Sequence, residues 1–148
     1  MISETTLKYL IAKKVKDANA LLKNKRYPAT IYMAGYAVEI ALKYRICKTF
    51  NFMNGFPETS QELTNYLTLN NINQSRPIII HLKDIRHHDL NRLLLHSGME
   101  SRIVNFFPTE WKVVERWNPA NRYKKARIIE KIATSYLETV KVLVKEFV

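Results

Sequence analysis

Apolar side chains return every three or four positions along most of the chain, and interruptions of that rhythm mark where helices start and stop. Leu7, Ile11, Val15, Ala18 and Leu22 trace one face of a helix predicted over about Thr5 to Leu22, with Ser3 or Thr5 near its cap. After a link at Asn24 to Tyr27, Pro28 opens a second helix, because a first helical turn does not use the amide proton that proline lacks. This helix is expected to reach about Phe50, and the broad stripe of Ile31, Ala34, Gly35, Val38, Ala41, Leu42 and Ile46 marks it as the central one. A helical glycine costs about 1 kcal/mol relative to alanine, so Gly35, near Ala34 and Ala37, is expected where another helix comes close.

Asparagine, glycine and proline break the pattern between Asn54 and Pro57, after which Thr59 and Glu62 have the spacing of a reciprocal cap for a third helix, roughly Ser60 to Leu69. Asn70 to Ser75 reads as a loop. Pro77 to Ile80 reads as a strand or a buried connection, and the lack of another strong strand segment to pair with it argues against the strand. His88 or Asp89 begins a helix carrying Leu90, Leu93 and Leu94, and Gly98 suits a left-handed cap at its end. Short helices are expected over Glu100 to Phe107 and Glu110 to Trp117, with a break at Asn118-Pro119. The closing helix is expected over about Asn121 to Phe147, with Ile129, Ile132, Tyr136, Val140, Leu143 and Phe147 facing inward. The class that follows is all-α, an antiparallel four-helix bundle with one or more short additional helices, and residues 1–148 are expected to form one domain without repeats or linkers.

Composition adds a charge to this picture. Twenty-four lysines and arginines stand against 13 aspartates and glutamates, a net charge of +11, which would draw a phosphate-rich polymer. The basic surface expected to meet RNA or a nucleotide includes Lys43, Arg45, Lys48, Arg122, Lys124, Lys125 and Arg127. The alternative is that such lysines are solvated helix faces, which suits Lys13, Lys14 and Lys16. No unbroken apolar run of about 20 residues is present, and the opening residues lack the pattern of a secretory signal, so no membrane association and a cytoplasmic location are expected. The single cysteine, Cys47, is expected as a buried, reduced thiol.

Candidate chemistry is sparse. Three glycines, at 35, 55 and 98, leave no glycine-rich phosphate loop, and neither a cofactor nor a metal is expected. His81, His87, His88 and His96 lie close together in sequence with Asp84 and Asp89 among them, but without the spacing of a zinc site. An arginine and a histidine together suit metal-independent RNA cleavage, the histidine moving the 2′-hydroxyl proton and the arginine offsetting phosphate charge. Arg76 and His81 form one such pair and Arg92 and His96 another. Tyr32, Tyr36, Tyr44, Trp111 and Trp117 either stack on bases or pack in the core.

Three segments carry a family resemblance. The run from Leu21 to Tyr27, continued by Ala29 to Lys43, strongly resembles the start of prokaryotic HEPN-domain proteins, His88 to Leu94 looks like their histidine-aspartate-leucine helix, and Trp117 to Tyr123 is similar to the lead-in to their final helix. The resemblance implies a bundle of four principal helices, a homodimer, and one of several roles: a metal-independent ribonuclease, a nucleotide binder, or the helical partner of a small nucleotidyltransferase in a toxin-antitoxin system. It also implies where a catalytic arginine and histidine stand. Arg76 and His81 have the family's spacing but precede the histidine-aspartate-leucine segment and enclose Pro77, while no histidine follows Arg122 at the final helix. That departure favours a noncatalytic or differently active relative, with a protein-interaction scaffold as a further alternative.

Overall fold

The computed structural model describes residues 1–69, 81–123 and 127–148. Among them the protein is all-α, with no strand and a single isolated bridge, Ile2 to Phe56. Seven α-helices follow in order: α1 (Glu4–Lys23), α2 (Tyr27–Thr49), α3 (Ser60–Leu69), α4 (Leu90–Ser97), α5 (Glu100–Phe106), α6 (Pro108–Val114) and α7 (Glu130–Phe147), with 3₁₀ turns at Leu82–Asp84 and Pro119–Tyr123. The predicted segments 70–75 and 77–80 lie outside the described residues.

α2 is the hub. It packs against α1, α4 and α7, and it buries Thr30, Gly35, Val38, Ala41, Leu42, Ile46 and Cys47, residues that between them point in nearly every direction around the helix. α1 returns antiparallel to it, with Lys48 bonded to Glu4 at one end and Lys14 beside Met33 nearer the other. α7 begins beside the start of α2, where the Tyr27 hydroxyl donates to Glu130 at 3.3 Å. α4 follows the second half of α2, from Glu39 beside His88 to Thr49, whose hydroxyl donates to the Ser97 carbonyl. α5 and α6 carry the chain across from α4 to α7.

Helix ends account for much of this arrangement. Ser3 caps α1, accepting from Thr6 N at 3.1 Å, and Asp89 caps α4, accepting from Arg92 N. Thr59 and Glu62 bond reciprocally at the start of α3, at 3.2 and 3.4 Å, as their spacing predicts. Three helices end in a left-handed residue: Lys25 (φ 58°) after α1, Asn51 (φ 53°) after α2 and Gly98 (φ 72°) after α4. At the first two the chain closes in a Schellman pattern, Lys25 N to Leu22 O with Arg26 N to Leu21 O, and Asn51 N to Lys48 O with Phe52 N to Cys47 O.

Two expectations are corrected. The last helix starts at Glu130, not near Asn121: Pro119 opens a 3₁₀ turn and Ile129 is extended (φ −94°, ψ 160°), so the chain enters the helix nine residues later. Ile129 and Ile132 are consequently about half exposed, while Ala133, Tyr136, Leu137, Val140, Leu143 and Phe147 form the inner face. The helix expected over Glu110 to Trp117 instead spans Pro108–Val114, proline again occupying the first turn.

Candidate functional site

The polar feature at the heart of the fold is Glu39. It stands on α2 among residues packed against α4 and is buried, its side chain 3% exposed. Such a carboxylate is retained only if it is partnered, and two side chains, Lys43 and His88, meet it. Lys43, one turn on, donates from Nζ to Oε1 at 2.6 Å, and His88 Nδ1 lies 2.8 Å from Oε2. His88 precedes the capping residue of α4 and is 53% exposed. With Nδ1 donating to the carboxylate, Nε2 is the ring nitrogen that Glu39 does not engage.

Aromatic rings flank the imidazole. Tyr36, one turn before Glu39, stands edge-on to His88 with centroids 6.2 Å apart and edge-on to Trp117 at 4.9 Å. Tyr32 extends the row, 5.1 Å from Tyr36 and 6.4 Å from Trp117. Lys14 brings its ammonium within 5.8 Å of the Tyr36 ring. Gly35 is what allows the indole in: a Cβ at that position would lie 2.1 Å from Trp117 Cδ1 and Nε1. The close approach expected at Gly35 therefore exists, but its partner is an indole and not a second helix. Trp117 Nε1 is buried without a hydrogen-bond partner.

The remaining histidines are structural in their contacts. His87 Nε2 donates to the Asp84 carbonyl at 2.8 Å and Nδ1 accepts from Asp89 N at 3.1 Å, and burial lowers its pKa. His96 is buried with Nδ1 unpartnered, and burial lowers its pKa as well. His81 leads into the Leu82–Asp84 turn, its backbone N–H donating to Asp84 Oδ2 at 2.8 Å, and it borders a small cleft of about 310 Å³ with Ser60, Thr64 and Lys83. Its proposed partner Arg76 lies outside the described residues. Among the described residues no group of three or more histidines, cysteines, aspartates or glutamates is placed to hold a metal ion.

Four of the seven residues of the expected basic surface have described side chains. Lys43 is turned inward onto Glu39 and over the Phe56 ring, and Lys48 is paired with Glu4 at 2.5 Å and lies over Tyr44. Arg45 is half-buried with Nε unpartnered, and Arg127 is exposed. Lys124 and Lys125, with the side chain of Arg122, lie outside the described residues.

Sequence spacing gives the Glu39–Lys43 contact as a one-turn pair, whereas the contact of Glu39 with His88, 49 positions away, has no local signal. The partners of Glu39 are Lys43 and His88. No helix among the described residues is long and apolar enough to cross a membrane. Comparisons with protein-family models, curated proteins and solved structures find nothing that matches this chain.

Proposed function

We propose that this chain is a HEPN-like protein that associates with RNA or a nucleotide at the edge of α2 where Tyr36 and His88 meet solvent. The observation that supports this reading is the convergence on one place of the three segments that carry the family resemblance: Glu39 and Tyr36 from the first, His88 from the second and Trp117 from the third. An imidazole anchored by a buried carboxylate, beside tyrosine faces, offers a phosphate a hydrogen bond and a base a stacking surface. The net charge of +11 supplies attraction at longer range. Titration of labelled RNA and of a matched DNA at several salt concentrations tests this. Binding that weakens as salt rises, and that falls in His88→Ala and Tyr36→Ala, is the expected result; no binding at low salt rejects it.

A second reading follows from the same contact. The arrangement of a buried carboxylate orienting a histidine is the one that positions a general base, so His88 is a better candidate than His81 for drawing the proton from a 2′-hydroxyl in metal-independent RNA cleavage. A metal-free cleavage assay on the parent, His88→Ala and His81→Ala separates the two histidines. Loss in His88→Ala alone supports this reading, and equal cleavage by all three rejects it. A partnership with a small nucleotidyltransferase, and a homodimer, stay as proposals from the family resemblance.

A further inference from the structure

The other face of the bundle carries a groove that the ligand site does not use. α1 and α7 each pack more extensively on α2 than on one another, and the space between them is an open furrow of about 810 Å³. Its floor is apolar, with Ile11 and Val15 from α1 and Val142 and Val144 from α7. Lysines line both walls: Lys8 and Lys16 on α1, Lys141 and Lys145 on α7. One acidic residue, Glu138, is also present, and Lys141 engages it at 2.7 Å. The lining from Lys8 to Asn19 covers about three helical turns, roughly 16 Å at 1.5 Å per residue.

We propose that this groove is a docking site for an amphipathic helix of a partner protein, with apolar side chains on one face and carboxylates along both borders. The length suits anchors at i, i+3 or i+4, and i+7, which is how a helix is read in a groove. The four lysines choose between occupants. A second copy meeting face to face would bring eight ammonium groups together around one seam with only the two Glu138 carboxylates to offset them, a net like-charge arrangement that opposes association. A flat anionic membrane would satisfy the lysines but could not reach down to Ile11, which is buried at the floor. An acidic-flanked helix satisfies floor and walls together, because its carboxylates meet the lysines while its anchors displace water from the valines. This inference is independent of the RNA reading, since none of the residues around His88 lines the groove.

The test uses the full chain and two synthetic helical peptides with identical leucine anchors, one flanked by glutamates and the other by lysines. The parent is expected to bind the glutamate peptide in preference, more weakly as salt rises. The double variant Lys141→Glu with Lys145→Glu is expected to prefer the lysine peptide, and Val142→Asn, at an exposed floor position, to weaken either interaction about tenfold. Circular dichroism on each variant checks that the bundle is intact. The proposal is overturned if neither peptide binds, if both bind the parent equally, if phosphatidylserine vesicles bind and the peptides do not, or if the chain dimerises through this face and Val142→Asn abolishes the dimer.

Discussion

His88 Nδ1 and Glu39 Oε2 are 2.8 Å apart although 49 residues separate them, and the carboxylate between His88 and Lys43 has almost no contact with water. Removing one partner from a buried ion pair leaves the other charge uncompensated, at a cost of about 3 kcal/mol. Lys43→Met leaves Glu39 with His88 as its one remaining partner and is therefore expected to lower the unfolding free energy by up to about that amount, measured by urea denaturation. Lys48→Met, at the exposed pair with Glu4, is expected to change it little, since exposed pairs are screened by solvent. Equal effects of the two substitutions would remove the special standing of Glu39.

Gly35 gives the second prediction. Alanine there improves helix propensity by about 1 kcal/mol but drives its methyl into the buried Trp117 indole, and forcing an extra carbon into a packed site costs about 1–3 kcal/mol or more. At a contact of 2.1 Å the clash dominates, so Gly35→Ala is expected to destabilise. Combining it with Trp117→Leu should recover part of the loss. A Gly35→Ala variant more stable than the parent would show that the indole does not lie where described.

Lys25 is expected to behave in the opposite way. It is exposed, left-handed at φ 58°, and holds the Schellman position that glycine prefers. Relief of the left-handed penalty, set against glycine's greater freedom when unfolded, leaves Lys25→Gly more stable by about 0.5–1 kcal/mol. Thermal melts of parent and variant decide the sign.

Acidification is expected to destabilise the protein through His87 and His96. Burial lowers both pKa values below the ordinary 6.5, so the unfolded chain binds these protons more readily than the folded one. Their contribution is fully present above about pH 6.5 and is lost as the pH falls through the window below it. Urea denaturation at about pH 7 and about pH 5 should give a smaller stability difference for His96→Leu than for the parent. An identical difference would exclude His96 as a source.

Cys47 is buried in the core, and burial pushes its thiol up to about 12, which leaves almost no thiolate near neutrality. A chromogenic disulfide reagent is expected to react with it at the rate of unfolding and at once in denaturant. Immediate reaction with the native protein would contradict the burial.

What could be read from the sequence follows from how local each signal is. α3 and α4 lie where Thr59, Glu62, Asp89 and Gly98 announce them, because those side chains act within one turn. The caps at Lys25 and Asn51 were illegible as left-handed residues, since lysine there has no diagnostic chemistry and asparagine only a mild preference. The start of α7 is not legible from the Asn118-Pro119 break, because Pro119 opens a 3₁₀ turn and Ile129, which continues the apolar rhythm one residue upstream of the helix, is extended. At the candidate site, Tyr36 and Glu39 share one side of α2, but His88 reaches them from the approach to α4 and Trp117 from the segment after α6. Those contacts are products of packing, which no spacing encodes.

The central position of α2 carries a consequence for how the chain acquires its shape. Its most extensive interface is with α1, the segment synthesised just before it and joined to it by a short turn. A hairpin of these two helices needs only local contacts, so it is expected to assemble quickly, with α4 and α7 docking afterwards on a surface already in place. Substitutions in the α1–α2 seam, such as Tyr44→Ala at the buried ring that Lys8 of α1 covers, should therefore slow refolding, whereas Val140→Ala on α7 should chiefly speed unfolding.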